Sequence, residues 1–514
     1  MLPQDEDGRA RARQPRGSPA NTDSVTRGIR FAKVLGLHDG GRALRDFVTY
    51  LPTQLVPALA GFLVIPVLAR ELAPTELGVL AICQTLVTLG WTIVASWLAA
   101  AILRELPAHR VANDLAGFGN GLRRALLGAL VAFAGFGVVV MLIGIVSSAV
   151  HDNQWLILAA TVGLALQNIT ISIFAASLRP RAYAVVDASA RIGGAALGVW
   201  LVFEGHEVEG YLAGLASASL VLGTAGLIVA WPRGGVGAHV PIRPWLRYGV
   251  PASAAAVATW LLAFVDRYIL AVLKDTGHVG VYSVSSVIGD RGVAIPVFAF
   301  FTATGPLLVT TYERKGRAEA ERLMTSYTRI ALIIAAPCIA FITVSASDLV
   351  WILTGKYDYA RHANIAPVIA MGSFVFALAS VAATGLVLEK KTRPFLYAAI
   401  AAVIVNVSLN FALIPPFGLM GAALATPASM LVYLGWSYSA ARRFATWHFP
   451  YSTCARVIVS ATAGGVAASA VVPTGGWRPL AVMIVAGVGL PVYAAMLFVL
   501  GERGSGLRRS AAAS

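Results

Sequence analysis

Charge is scarce in this sequence. Only 13% of its 514 residues are Asp, Glu, Lys or Arg, against roughly 25% for an ordinary soluble domain. That scarcity excludes a water-soluble globular enzyme, and the 57% hydrophobic content excludes a disordered chain. Cysteine is scarcer still. Cys83, Cys338 and Cys454 lie far apart, in or beside apolar runs. They offer no metal-ligand spacing and no disulfide framework, and read as small apolar packing residues. The eight His are scattered and none is paired at ligand spacing. No P-loop is found, so the chain is not itself an ATPase. The reading is a protein that is not an enzyme, holds no metal and needs no cofactor.

What is present is long apolar sequence. The mean hydropathy is +0.73, and fourteen apolar runs follow one another between residues 49 and 500. Most approach the roughly 20 residues needed to cross about 30 Å of hydrocarbon. The runs 394–414 and 457–473 are the weakest. None has the period-2 alternation of a barrel strand, so the spans are helices. The expected fold is an all-α polytopic membrane protein with about fourteen transmembrane helices.

Residues 1–45 stand apart. They are polar, with nine Lys/Arg and no apolar core of a cleavable signal. They read as a disordered cytoplasmic tail, in which 25–37 can form a basic surface helix on anionic lipid.

Charge placement orients the spans. With both termini placed inside, the tail holds 9 Lys/Arg, the inner loops and C-terminus 23, the outer loops 5 and the spans 3. The 25 acids divide as 13 inside, 9 outside and 3 in spans. This is a strong positive-inside pattern, and it explains a net charge of +15 without nucleic acid. No outer loop exceeds about ten residues, which leaves no room for an external catalytic domain. His206 and His278 fall in these short loops, where a solvated imidazole is expected.

A faint internal repeat is visible. LARELAPTELGVLAICQTL (68–86) matches LAVLKDTGHVGVYSVSSVI (270–288), with Gly78 falling on Gly280. EGYLAGLASASLV (209–221) matches GLMGAALATPASMLV (418–432). Six spans per copy is an even number, so both copies enter the membrane the same way round. The expected plan is two parallel six-helix lobes plus two C-terminal helices, with the pseudo-two-fold along the membrane normal and substrate between the lobes. The expected divisions are a tail (1–45), an N-terminal lobe (46–235), a C-terminal lobe (236–445), two further helices (446–501) and a short cytoplasmic tail (502–514).

The informative polar residues lie inside spans. Asp187 and Arg191 are four apart and share a helix face. Asp266–Arg267 lies in the outer half of the seventh span, and Asp290–Arg291 near mid-bilayer in the eighth. A charge at a helix centre costs roughly 2.5–3.5 kcal/mol on insertion scales, so all six belong in a bundle interior or a wet cavity. Two readings stay open: structural ion pairs, or arginines that bind an anion while the aspartates orient them or carry protons. Gln167, Asn168, Asn406 and Asn410 are candidate cavity residues, with helix–helix hydrogen bonding as the plainer reading. Pro52, Pro57, Pro66, Gly249, Pro251, Pro296 and Pro306 cluster in the first helices of each copy, as hinges or packing kinks would.

Three segments carry a resemblance to a known family. GFLVIPVLARELAPTELGVLAI (61–82), FVDRYILAVLKDTGHVGVYSVSSVI (264–288) and NVSLNFALIPPFGLMGAALATPAS (406–429) resemble, in order, segments of the polysaccharide transporter family. That family shares a superfamily with the multidrug and toxin extrusion pumps. The resemblance covers about residues 45–500 and leaves out the tail. It implies a flippase of the bacterial cytoplasmic membrane, moving a polyprenyl-diphosphate-linked oligosaccharide outward by alternating access for surface polysaccharide synthesis. Arg191, Arg267 and Arg291 are then the candidates for the diphosphate, whose geometry suits a guanidinium fork. Asp187, Asp266 and Asp290 are the orienting or ion-coupling candidates, with proton or sodium as the coupling ion. The implied partners are the lipid-linked glycan, membrane lipids, a polysaccharide polymerase and glycosyltransferases. Three alternatives remain: a drug/cation antiporter, a flippase for lipid II, and a non-transporting scaffold of a polysaccharide assembly.

Overall fold

The computed structural model describes residues 64–232, 241–389, 391, 393–472 and 477–502. The expected tail, its surface helix, most of the first span with Pro52 and Pro57, and residues 503–514 lie outside the described residues. Within them the chain is helical, and twelve stretches are long and apolar enough to cross a membrane. One of these, Pro180–Ala230, has 51 residues and folds back on itself. Gly205 (φ 92°) and Glu207 (φ 39°) make the reversal.

Among the described residues sixteen α-helices follow the end of the first span. In chain order they are α1 Pro74–Val94, α2 Ser96–Val111, α3 Leu115–Val146, α4 Ser148–Ala176, α5 Pro180–Leu201, α6 Glu207–Ala230, α7 Arg243–Leu273, α8 Thr276–Lys315 and α9 Arg317–Thr354. Then come the short α10 Tyr357–Ala360, α11 Ala366–Ala382, the short α12 Thr384–Leu388, α13 Arg393–Phe417, α14 Leu419–Ala441, α15 Tyr451–Val471 and α16 Arg478–Val499. Local chemistry sets the starts. Pro74 opens α1, and the Glu76 carboxylate accepts the Ala73 N–H at 2.8 Å. Asp114 and Asp275 cap α3 and α8 by accepting backbone N–H bonds of 2.8 and 2.9 Å, each satisfying an orphan donor of the first turn.

The contacts fall into two lobes of the same plan. In the first, α5 packs on α6 and α4 on α6; in the second, α13 packs on α14 and α11 on α14. α6 and α14, the helices on which the others pack, carry the repeat of 209–221 with 418–432. The tightest places are glycines. A side chain at Gly214 would lie 2.3 Å from the Gly198 nitrogen, and one at Gly421 would lie 2.2 Å from the Leu413 oxygen. α15 and α16 pack on each other and on α9.

The lobes meet where α1 packs on α8 and α2 on α7. A Cβ at Gly78 would sit 1.8 Å from the Thr276 oxygen, and one at Gly280 would sit 2.0 Å from the Pro74 oxygen. The contact therefore repeats itself under exchange of the lobes. At the same end Arg70 donates to the carbonyls of Leu353 (2.8 Å) and Ile352 (2.7 Å). Lys356 donates to the Leu72 carbonyl at 2.8 Å. Arg70 thus places a cation on the open carbonyls at the end of α9, where the helix dipole favours it.

Below this clasp runs a polar seam. Thr85, Thr88, Thr92 and Ser96 recur at helical spacing on α1–α2 and meet α7. The hydroxyls of Thr85 and Tyr268 are 2.6 Å apart. Trp260 donates to Thr88 at 3.0 Å, and Ser96 to Ser253 at 2.8 Å. Ser253 in turn donates to the Thr92 carbonyl at 2.9 Å.

Pro251 is accommodated inside a continuous α7, and Gly249 serves close approach: a Cβ there would meet the Trp97 oxygen at 2.2 Å. The breaks occur at Ala95 and Ala383 instead, between α1 and α2 and between α11 and α12.

Candidate functional site

The six intramembrane charges form three separate Asp–Arg pairs. On α5, Arg191 Nε donates to Asp187 Oδ1 at 2.7 Å, across one helical turn. Gln167 Nε2 on α4 reaches the same oxygen at 3.3 Å. Asp187 is buried, whereas the Arg191 side chain is 50% uncovered by protein. One buried carboxylate thus holds a half-uncovered guanidinium, for which no second hydrogen bond is found among the described residues.

The second pair joins α7 to α8. Buried Asp266 accepts from the Tyr282 hydroxyl at 2.7 Å and from the Arg267 N–H at 2.8 Å. The Arg267 guanidinium lies 3.9 Å from Asp266 Oδ1, beyond hydrogen-bond reach. It donates to the Ala263 carbonyl at 3.2 Å and stacks over Phe264 at 5.0 Å. Tyr282, not Arg267, is the main partner of this carboxylate.

The third pair ties α8 to α11. Asp290 accepts from Ser373 at 2.6 Å, and Arg291 Nε lies 3.7 Å from its other oxygen. Both side chains are about half uncovered, 47% for Asp290 and 50% for Arg291. Among the described residues no hydrogen bond or ion pair links one of the three pairs to another.

The neutral candidates divide. Gln167 joins the Asp187 pair. Asn168 donates to the Leu164 carbonyl of its own helix at 2.8 Å. Asn406 and Asn410 are fully buried; Asn406 donates to Ser429 across the α13–α14 contact at 3.1 Å, and Asn410 donates to Asn406 Oδ1 at 3.0 Å. Their geometry is that of helix–helix hydrogen bonding.

Sequence reading missed the Arg70 and Lys356 clasp, the hydroxyl seam, and Tyr282 and Ser373 as carboxylate partners. The seam had a signal: Thr85, Thr88, Thr92 and Ser96 are spaced by three, four and four. The clasp had none, because a lone Arg and a lone Lys in short loops look like ordinary solvated charges. Among the described residues no group of three or more His, Cys, Asp or Glu could hold a metal ion.

A cleft of about 1110 Å³ opens at the other end of the second lobe, between α13 and α14. It contains none of the three arginines named above.

Comparison with known proteins places this arrangement. The sequence model of a family described as "Polysaccharide biosynthesis protein" matches residues 43–307, just over half of the chain. The chain belongs to the polysaccharide biosynthesis protein family. A second model, described as "Lipid II flippase MurJ", matches residues 250–484. Among curated relatives of this family member, "Probable flippase AglR" of Haloferax volcanii is 25% identical over 247 residues, 45% of this chain and 48% of the relative. The chain thus spans about half the length of the curated relative it matches. In fold it is similar to a lipid II flippase MurJ in an inward closed conformation, with a TM-score of 0.69, 12% identity, and coverage of 87% of this chain and 98% of that one. It is also similar to an inward-facing multidrug resistance MATE family transporter of the MOP superfamily. There the TM-score is 0.62 at 16% identity, with 75% and 94% covered. At these identities the likeness is one of fold: a multi-pass, two-lobe helical membrane protein.

Proposed function

We propose that this member of the polysaccharide biosynthesis protein family is a flippase that moves a polyprenyl-diphosphate-linked oligosaccharide across the cytoplasmic membrane of a bacterium. Both termini face the cytoplasm, which the positive-inside charge pattern supports. The lobes alternate between closure at the outer end, through Gly78, Gly280, Arg70 and Lys356, and closure at the inner end. Arg191 and Arg291 meet the diphosphate as it passes, Arg267 lies close to its path, and Asp187, Asp266 and Asp290 orient the cations or carry the coupling proton or sodium ion.

The observation that carries this reading is the half-uncovered state of Arg191 and Arg291 within apolar spans. An arginine in a span that only locks helices together would be covered by them. One that leaves its donors open within the membrane is suited to an anionic ligand. The planar fork supplies paired N–H groups to phosphate oxygens, and a gap between lobes lets the lipid tail stay in the bilayer.

The test is translocation in proteoliposomes of a lipid-linked oligosaccharide with a fluorescent sugar, read by protection from an impermeant quencher. Wild-type protein should move the label. Arg191→Ala and Arg291→Ala should each slow it by about ten-fold or more, the scale of one lost charge-assisted bond. Unchanged translocation with both replaced rejects their role.

A second reading, lipid II as substrate, is favoured by the match over 250–484. Running both substrates in the same assay separates the two.

A further inference from the structure

The cleft between α13 and α14 brings cations and aromatic rings together. Lys391, Arg393 and Arg443 line it together with Tyr397 and Trp436. All five are exposed. None of the three cationic side chains has an acidic partner among the described residues. The nearest acid in sequence, Glu389, accepts a 2.6 Å hydrogen bond from Tyr312 at the end of α8. Arg317 holds the Arg443 carbonyl at 3.4 Å while its own charge is met by Glu321 at 2.8 Å. Three uncompensated cations therefore converge on one opening.

The opening also includes the first turn of α13, a 25-residue helix that begins at Arg393–Pro394. Its dipole adds positive potential there. A phosphodiester carries one negative charge and would leave two of the cations unmet. A diphosphate balances the set better. The two exposed aromatic rings lie between the cations and the apolar surface of the same helices and give flat faces on which the first prenyl units can lie. Further along the same helices Ile400, Ile404 and Leu431 are 43%, 60% and 56% uncovered, a surface suited to an acyl or prenyl chain. Along each helix the order is cation, ring, apolar surface: Arg393, Tyr397 and Ile400 on α13, and Arg443, Trp436 and Leu431 at and along α14. That is the order of a diphosphate followed by its prenyl chain, with the sugar left at the open mouth.

We infer that this cleft is a loading site at the cytoplasmic face, which receives the glycosyl diphosphate head of a polyprenyl-linked sugar from the inner leaflet before it reaches the space between the lobes. This rests on the flippase reading for its purpose, but the binding it asserts is separately measurable.

The test uses the full-length protein in phosphatidylcholine nanodiscs and a farnesyl-diphosphate-linked monosaccharide as probe, with binding followed by protein fluorescence. The wild type should bind. The Lys391→Ala/Arg393→Ala/Arg443→Ala variant should lose affinity by about ten-fold or more, and Trp436→Leu by a smaller factor. Arg181→Ala, an exposed cation of the other lobe, should bind like wild type. Because all four replaced residues are exposed, their variants should keep the wild-type melting temperature. Charge-keeping Arg393→Lys should recover part of the loss and serves as the check if the triple variant melts early.

Equal binding by wild type and the triple variant overturns the proposal. So does displacement of the probe when phosphatidylglycerol replaces phosphatidylcholine, which would make the cleft an ordinary anionic-phospholipid site. Inorganic pyrophosphate competing as well as the probe would remove the lipid and sugar from the assignment and so overturn it too. If the cleft binds as expected but wild-type protein moves no lipid-linked sugar, the flippase reading fails and the site stands. If translocation proceeds while the cleft binds nothing, the reverse holds.

Discussion

Gly78 and Gly280 occupy each other's mirror positions across the junction of the two lobes. A Cβ on either would lie 3.0 Å from the backbone nitrogen of the other, and each is pressed against the carbonyl four residues before its mate, Thr276 for Gly78 and Pro74 for Gly280. The numbering offset is the same for both pairs, so an approximate two-fold axis passes between them.

Gly78→Ala and Gly280→Ala should therefore have matching effects. Each forces backbone apart, at about 1–3 kcal/mol of overpacking, and the melting temperature of the purified protein should fall by similar amounts. The double variant should lose less than the two losses added, because the first displacement makes room for the second. Strict additivity would place the residues in independent contacts.

Arg70→Ala should loosen this end of the lobe junction. It removes two charge-assisted bonds to α9 carbonyls, each worth about 1.5–3 kcal/mol at most and less for an exposed side chain. Labelling of a Thr75→Cys reporter by an impermeant maleimide should speed up. Arg70→Lys, which reaches one carbonyl but not both, should fall between wild type and Arg70→Ala. An unchanged labelling rate would mean the clasp does not hold this end shut.

Tyr282→Phe should destabilise the protein by about 1–3 kcal/mol, since it leaves a buried Asp266 oxygen without its donor. Asp266→Asn combined with Tyr282→Phe should lose less than the sum, a coupling read by a double-mutant cycle on thermal or denaturant unfolding. Absence of coupling would contradict the 2.7 Å bond.

The acid limb of stability should involve Asp275. Partial burial pushes its carboxyl up, but hydrogen bonds from the His278 ring and backbone N–H, and the His278 charge, outweigh this and hold it below the usual carboxylate range. A carboxylate whose folded pKa is depressed contributes stability above its unfolded value, near 3.9, and loses it as the pH falls through the folded value. Asp275→Asn should thus melt below wild type at neutral pH, and the gap should close below about pH 4. A gap that persists at pH 2 would assign the effect to something other than ionisation.

Much of the fold was legible because the membrane is an unforgiving solvent. A backbone that must satisfy itself in hydrocarbon can only be helical there, so run length and loop charge place the spans, and the Gly78–Gly280 match announced the repeat. Runs 394–414 and 457–473, the weakest in the sequence, are the ordinary helices α13 and α15. Proline does not mark where the helices end: Pro251 lies inside α7, while the chain breaks at Ala95 and Ala383. The site was legible in part. Spacing four apart announced Asp187–Arg191, because both lie on one helix. The partners of Asp266 and Asp290, Tyr282 and Ser373, lie 16 and 83 residues away, and no local pattern reports a contact between helices.

The seam between α1–α2 and α7 has a property that matters when it opens. Thr85 also donates to the Ile82 carbonyl and Thr88 to the Thr85 carbonyl, both at 2.8 Å, and Thr92 donates to the Thr88 carbonyl at 2.7 Å. Each of these hydroxyls keeps a home bond inside its own helix when its neighbour across the gap departs. Parting the halves therefore strands polar groups on one side only: Ser253, Trp260 and Tyr268 of α7 lose the bonds they make across the gap, in a setting where an orphaned donor is worth several kcal/mol. The α1–α2 face can part dry, whereas the α7 face calls for water or a ligand at its three donors.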